Sequence, residues 1–420
     1  MINHPSLEDW DAQDPLAPFK DKFVQQAGEI YLDGNSLGKM PLAAQATLEN
    51  VLQEQWGQRL IRSWNEQWLN LPLRIADKYA RFLGVSAAEI IIGESTSVRL
   101  YQIIHALLSS KQYDLLLTDT LNFPTDAYVL EGLAQTFNLP KPITIDYGQD
   151  LTADVDRLKE YIKTQPGIIC LSLVTYKAAY YYPMKELNQW AAKHQSIIVW
   201  DLSHAVGAVP IDLANTQTLV AIGCSYKFMN GGPGAPAFMY ISTALQEELN
   251  NPIQGWFGHA NPFDFSPTYQ PAPGIDRFAA GTPQILSLAA MEAGIDISLA
   301  AQIARIRQKS VQQTEYVVAA VKQELIPLGF TLISPEQSSE RGSHVAISHP
   351  QAWQICQALL QGTEEFPSVI PDFRPPNIIR LGIAPLYISF QELGIALKFL
   401  KTIVEQQWHL KFNDQKPKVT

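Results

Sequence analysis

The chain has 420 residues, of which 46% are apolar and 17% charged. This profile excludes a disordered, collagen-like or coiled-coil protein, and at roughly 100–200 residues per domain it leaves room for two to four domains. Lys plus Arg number 31 against 41 Asp plus Glu. The resulting formal charge of −10 argues against general binding to nucleic acid or to an anionic membrane.

Residues 1–45 read as an arm dotted with Pro and Asp, leading into Glu29-Ile30-Tyr31-Leu32-Asp33-Gly34-Asn35-Ser36. The start of the chain lacks a basic stretch followed by an apolar one, so no secretory signal is expected. Over 46–295, short apolar runs alternate with amphipathic stretches. The runs at 115–118, 168–173, Ile197–Asp201, 220–224 and 237–241 predict buried strands, and 187–194 predicts a helix. This alternation predicts a mostly parallel, seven-stranded type of sheet covered by helices on both faces. The segment 251–281 is rich in Pro, Gly and aromatic residues and is expected to be irregular, as functional or interface segments often are. Helices are predicted at 286–299 and 302–325. From 296 to 420, strand-like 330–334 and 345–347 alternate with helical 352–360 and 390–404, which predicts a small α+β unit. Cys170, Cys224 and Cys356 form no CxxC pair, so a reducing, cytoplasmic setting is expected.

Asp201 ends a predicted buried strand, and ligands bind at that edge of a parallel sheet. Alone, it would read as a turn former, and His204 as a packed histidine. Lys227 follows the next apolar run and precedes Asn230-Gly231-Gly232-Pro233-Gly234. Alone, it would read as a surface lysine with its stem folded over apolar neighbours. The glycines lead into a strand rather than opening a helix, so they are no dinucleotide fingerprint. An acid at one strand end with a lysine after the next strand is what pyridoxal 5'-phosphate (PLP) requires. The lysine forms the Schiff base and the acid keeps the pyridinium nitrogen protonated. A phosphate site is then expected at Gly93-Glu94-Ser95-Thr96-Ser97, where hydroxyls and free N–H groups open a predicted helix. Phe123, within Asn122-Phe123-Pro124-Thr125-Asp126, stands at a strand exit where an aromatic could stack on the cofactor ring. His344 and His349 lie five positions apart in a strand-like stretch and so point to opposite faces, which argues against a shared metal.

Taken together, these residues resemble kynureninase, a PLP-dependent fold type I enzyme, and are nearer to its bacterial form than to its animal one. The resemblance runs over nearly the whole chain. It is carried by Tyr31-Leu32-Asp33-Gly34-Asn35-Ser36-Leu37-Gly38, Leu60-Ile61-Arg62-Ser63-Trp64, Thr96-Ser97-Val98, Asn122-Phe123-Pro124-Thr125-Asp126 and Asp201-Leu202-Ser203-His204. Further on it rests on Tyr226-Lys227, Gly255-Trp256-Phe257-Gly258-His259, Gly281-Thr282-Pro283, Arg341-Gly342-Ser343-His344-Val345, and Arg380 with Pro385-Leu386-Tyr387.

The resemblance implies that Lys227 binds the cofactor covalently and shuttles the α-proton, Asp201 pairs with the ring nitrogen, and His204 sits beside it. Phe123 would stack on the ring and Asp126 would help hold it. Thr96, Ser97, Tyr226, Trp256 and Thr282 would surround the phosphate, some reaching in from the second subunit of a homodimer. Arg380 would grip the substrate α-carboxylate near Ser36, and Tyr226 is the candidate acid/base. The implied reaction is hydrolysis of the Cβ–Cγ bond of L-kynurenine, or of 3-hydroxykynurenine, to an aromatic acid and L-alanine in tryptophan catabolism. Two stretches depart from the family pattern. Arg99 stands where the family commonly has Asn, and Lys177-Ala178-Ala179 replaces a turn that usually contains glycine. The competing expectation is a related aminotransferase or β-lyase acting on another amino acid. A desulfurase would need a reactive cysteine, and Cys356 lies instead in an apolar helical pattern.

Overall fold

The structure, a computed structural model, describes residues 6–148 and 151–413. Residues 1–5 of the expected arm and 414–420 of the expected C-terminal unit lie outside them. Twelve strands run in chain order among the described residues. They are β1 (Glu29–Leu32), β2 (Ile90–Ile92), β3 (Leu116–Asp119), β4 (Ile143–Ile145), β5 (Ile168–Ser172), β6 (Ile197–Asp201), β7 (Val220–Gly223), β8 (Phe238–Ile241), β9 (Thr331–Leu332), β10 (His344–Ser348), β11 (Ser368–Arg374) and β12 (Ile378–Gly382).

Seven of them form one sheet in the order β2-β8-β7-β6-β5-β3-β4. The pairs from β7 through β4 are parallel, and β8 alone runs antiparallel to both its neighbours. The period of two assigns the side chains to faces. Ile168, Cys170, Ile197 and Val199 pack with Leu100, Ile103, Leu107, Leu130 and Leu133 of the helices Thr96–Ser109 and Pro124–Thr136. Ile169, Leu171, Ile198 and Trp200 pack with Ile75, Tyr79, Leu187, Leu288 and Met291 of the helices Leu71–Leu83, Met184–Lys193 and Ile285–Ala301. Helices on both faces are why these strands read as unbroken apolar runs.

The remaining five strands form a second sheet, β1-β11-β12-β10-β9, antiparallel except for the parallel β1–β11 pair. Its core joins Val345, Ile347, Phe373, Ile379 and Leu381 to Ile355, Phe399 and Leu400 of the helices Ala352–Gln361 and Phe390–Glu405. The strand expected at 330–334 shrinks to the two residues of β9. Gly329 enters it through the left-handed region (φ 91°), and Ser334 turns its hydroxyl to the Ala346 N–H at 2.8 Å. The segment 251–281 carries only short 3-10 turns, as expected. The helices Ile285–Ala301 and Ile303–Ala320 meet at Gln302, whose φ of 65° breaks the backbone ladder. No single helix among the described residues is long and apolar enough to cross a membrane.

Candidate active site

Three parallel strands deliver their C-terminal ends to one cavity of about 580 Å³. Past β3 come Phe123 and Asp126; β6 ends at Asp201, and β7 leads to Tyr226 and Lys227. The turn from β2 into the helix Thr96–Ser109 adds Glu94, Ser95, Thr96 and Ser97, and the second sheet adds Arg374 and Arg380.

Asp201 is 5% exposed, and its Oδ1 accepts the Ser203 N–H at 2.8 Å. Burial raises its pKa, and the positive charge of Lys227 works against that rise. The lysine stands on a turn held by the Asn230 N–H to Lys227 O (2.9 Å) and the Gly38 N–H to Tyr226 O (2.7 Å). Its Nζ lies 2.8 Å from His204 Nε2. Burial, then the nearby Lys227 charge, push the pKa of His204 well down, so its imidazole is neutral and can accept from Nζ. Asp126 is 3% exposed, and its pKa is pushed well up by burial and by the Asp201 charge. The half-buried Tyr226 keeps its proton because Cys224 and burial raise its hydroxyl pKa.

Two buried atoms of this group, Asp126 Oδ2 and His204 Nδ1, have no hydrogen-bond partner among the described residues. Buried polar atoms are rarely left so. Together with a lysine, a buried acid and an open helix N-terminus in one cavity, they fit a polar, phosphate-bearing aromatic cofactor. At the helix start, Ser95 Oγ caps the Val98 N–H at 3.3 Å, and Thr96 and Ser97 bring their hydroxyls and backbone to the cavity. Phe123 is 38% exposed and meets Tyr176 edge-on, with centroids 5.3 Å apart.

At the other end Arg380 is 1% exposed. It donates to Asp372, its register partner across β11–β12, to the Tyr176 carbonyl, and to Ser36 Oγ at 3.1 Å. Arg374 Nε donates to the same Asp372 carboxylate at 3.1 Å. Burial and the Asp372 charge raise the Asp33 pKa to about 6.

Ten of the expected site residues therefore share one cavity: Ser36, Thr96, Ser97, Phe123, Asp126, Asp201, His204, Tyr226, Lys227 and Arg380. Trp256 and Thr282 do not reach it from this chain. Trp256 is 40% exposed within an aromatic group of Phe257, Phe263 and Phe265, and Thr282 is exposed. Arg374 and Gln284 line the cavity and were not anticipated. The alternation of Asp372 and Arg374 on a strand ending at a Pro-Pro turn was the available signal for Arg374. Cys356 is buried in the helix Ala352–Gln361, and burial raises the pKa of its thiol.

A family model described as the kynureninase C-terminal domain matches residues 306–400. The chain is 37% identical over 403 residues to the kynureninase of Pseudomonas fluorescens, covering 94% of each chain. It is 35% identical over 403 residues to that of Burkholderia pseudomallei (strain K96243), again covering 94% of each. Among solved structures it is similar to the apo cysteine desulfurase of Thermococcus onnurineus NA1 (TM-score 0.77, 16% identity, 97% of this chain and 100% of that one). It is also similar to a C-DES mutant with glycine covalently linked to its PLP cofactor (TM-score 0.78, 16% identity, 91% and 98%). At that identity the structures speak to the fold alone. It is the expected one, a fold type I α/β architecture with a mostly parallel seven-stranded sheet and a smaller second sheet.

Proposed function

The chain belongs to the kynureninase family, and from that premise we propose that it is a PLP-dependent hydrolase that cleaves the Cβ–Cγ bond of L-kynurenine to anthranilate and L-alanine. The observation that carries this reading is one cavity holding a lysine beside a neutral histidine, a buried aspartate, a helix N-terminus and a pre-oriented arginine. When bound, PLP supplies an electron sink for the carbon centres next to the substrate's amino group. Lys227 would hold its aldehyde carbon and Asp201 its ring nitrogen. Phe123 would cover the ring, with Asp126 and His204 beside it. Thr96, Ser97 and Tyr226 would hold the phosphate.

The chain's own groups divide the work. Arg380 binds the substrate α-carboxylate as a planar double donor, oriented beforehand by Asp372, Tyr176 and Ser36. Lys227 Nζ takes and returns the α-proton, and neutral His204 at 2.8 Å holds Nζ in place by accepting from it. Water supplies the hydroxyl that the γ-carbonyl carbon gains as the Cβ–Cγ bond breaks, and Tyr226, which enters the reaction protonated, can give a proton to the carbon that leaves.

The same reading makes the molecule a homodimer in which Trp256 and Thr282 serve the partner's site. Large exposed apolar side chains support this, among them Ile61 (76%) and Phe265 (75%) on the neighbouring segments linked by the Trp64–Phe257 contact. It divides the chain into an arm (1–45), a large unit (46–295) and a small unit (296–420). It sets the enzyme in the cytoplasm, in tryptophan catabolism, consistent with three buried free thiols.

The test is direct: incubate the PLP-loaded protein with L-kynurenine or 3-hydroxykynurenine, and follow the aromatic acid by fluorescence and alanine by amino-acid analysis. Equal yields of both products are expected, with Lys227→Ala inactive and lacking the visible absorbance of bound PLP. A keto acid in place of alanine, or full turnover by the variant, would sink the reading.

A further inference from the structure

Arg99 lies one turn inside the helix Thr96–Ser109, whose N-terminus opens on the cavity, and it is 1% exposed. Its side chain runs back beneath the turn that carries Thr96 and Ser97. Nε donates to Gly93 O at 3.0 Å, and Nη1 donates to Gln102 Oε1 at 3.0 Å and to Phe278 O at 2.9 Å. Gly93 (φ 147°) is what leaves it space, because a Cβ there would stand 3.0 Å from Arg99 Nη2. The same point lies 3.8 Å from Oε1 of Gln284, a cavity-lining residue.

The partners of this guanidinium are all neutral. Among the described residues no carboxylate forms an ion pair with it, and Glu94 acts on it only as a more distant charge. Burial brings its pKa down to about 10, which still leaves it a cation at neutral pH. A buried cation without a paired counter-ion is costly, and besides the more distant Glu94 the adjacent feature able to compensate it is the expected anion site at the helix N-terminus. The hydrogen bonds also reach outward. Gln102 donates to Asn251 Oδ1 at 3.1 Å, and Asn251 donates to the carbonyls of Ile253 and Arg277. Arg99 thus joins the Thr96–Ser97 turn to the segment that bears Trp256.

We propose that Arg99 is a positioning residue that serves as the buried counter-charge of the cofactor phosphate, acting through the helix N-terminus from beneath it. This rests on the PLP reading above and adds to it a source of phosphate affinity.

A residue that merely fastened the two segments would matter equally for any ligand of the cavity. A counter-charge should matter only for a ligand carrying the phosphate. Apo full-length protein is therefore titrated with PLP and, separately, with pyridoxal, which lacks the phosphate, for wild type, Arg99→Asn and Arg99→Lys. Arg99→Asn should weaken PLP at least about tenfold while changing pyridoxal by less than about twofold, the scale of one buried charge lost near another. Arg99→Lys should keep most of the preference for PLP, and it decides the matter if the Asn variant does not fold. Parallel loss of both ligands in Arg99→Asn, unchanged PLP affinity in it, or loss of the preference in a folded Arg99→Lys would overturn the proposal. Wild type that binds neither ligand would overturn the PLP reading itself, and this proposal with it.

Discussion

Arg380 is held on three sides by groups of the chain itself, so under the proposed function a substrate carboxylate would meet a guanidinium already oriented. Arg380→Ala is expected to raise KM for kynurenine roughly 30–100-fold, the worth of a charged double hydrogen bond. PLP should stay bound, and its absorbance is the check. Asp372 would then lose its buried partner Arg380, and urea unfolding should show a loss of up to about 3–5 kcal/mol. Asp119 makes a different prediction. It is buried, takes the Tyr182 hydroxyl, and has its pKa raised by burial to about 6. The folded chain therefore holds this proton more tightly than the unfolded one. The stability gained is full below about pH 4 and is lost as pH rises through 6. Asp119→Asn does not titrate, so its stability relative to wild type should improve by about 1–2 kcal/mol between pH 5 and pH 8. A constant difference across that range would refute the assignment. At this scale the sequence pointed to the cavity wherever a residue ended or followed a buried strand: Asp201, Phe123 and Lys227 were singled out that way and line it, whereas Tyr226 came with the family resemblance. Arg374 escaped because its place depends on the register of the β11–β12 hairpin, which apolar patterning does not encode.

The elements that could be read were those whose burial is uniform. β5 and β6 are apolar along their whole length because helices cover both faces, and their predicted bounds differ from the observed ones by a residue or less. Edges were harder: β9, at the edge of its sheet among the described residues, keeps only two residues. The role of β1 was not legible at all. Glu29-Ile30-Tyr31-Leu32 reads as the end of an arm, yet it pairs with β11, and no local pattern can report a partner so distant in sequence. That pairing brings Asn35 and Ser36 to Arg380. Gly382, at the end of β12, leaves the space, because a Cβ there would stand 1.8 Å from the Asn35 side chain and 3.1 Å from its backbone nitrogen. Gly382→Ala should therefore displace the Asn35–Ser36 turn, raise KM about tenfold and destabilise by about 1–3 kcal/mol without releasing PLP. Unchanged KM would show that this turn does not set the arginine.

For the whole molecule, the two sheets and their separate cores account for the architecture, and the exposed apolar groups on 51–68 and 256–265 mark the face on which the proposed homodimer would close. If the proposed homodimer closes on this face, Ile61→Asp should halve the mass seen by sedimentation and weaken PLP binding together, because Trp256 and Thr282 could then no longer serve a partner's cavity. A variant that stays dimeric would locate the contact elsewhere. The β1–β11 pair carries a consequence for how the protein is made. Glu29 leaves the ribosome early, and its partner Ser368 follows only after roughly 20–70 s at about 5–20 residues per second. The seven-stranded sheet is fully synthesised before then, whereas the Arg380 end of the cavity must wait for the last strands. Until they arrive, the nascent chain presents β1 as an unpaired edge, open to chaperones and to misjoining with other chains.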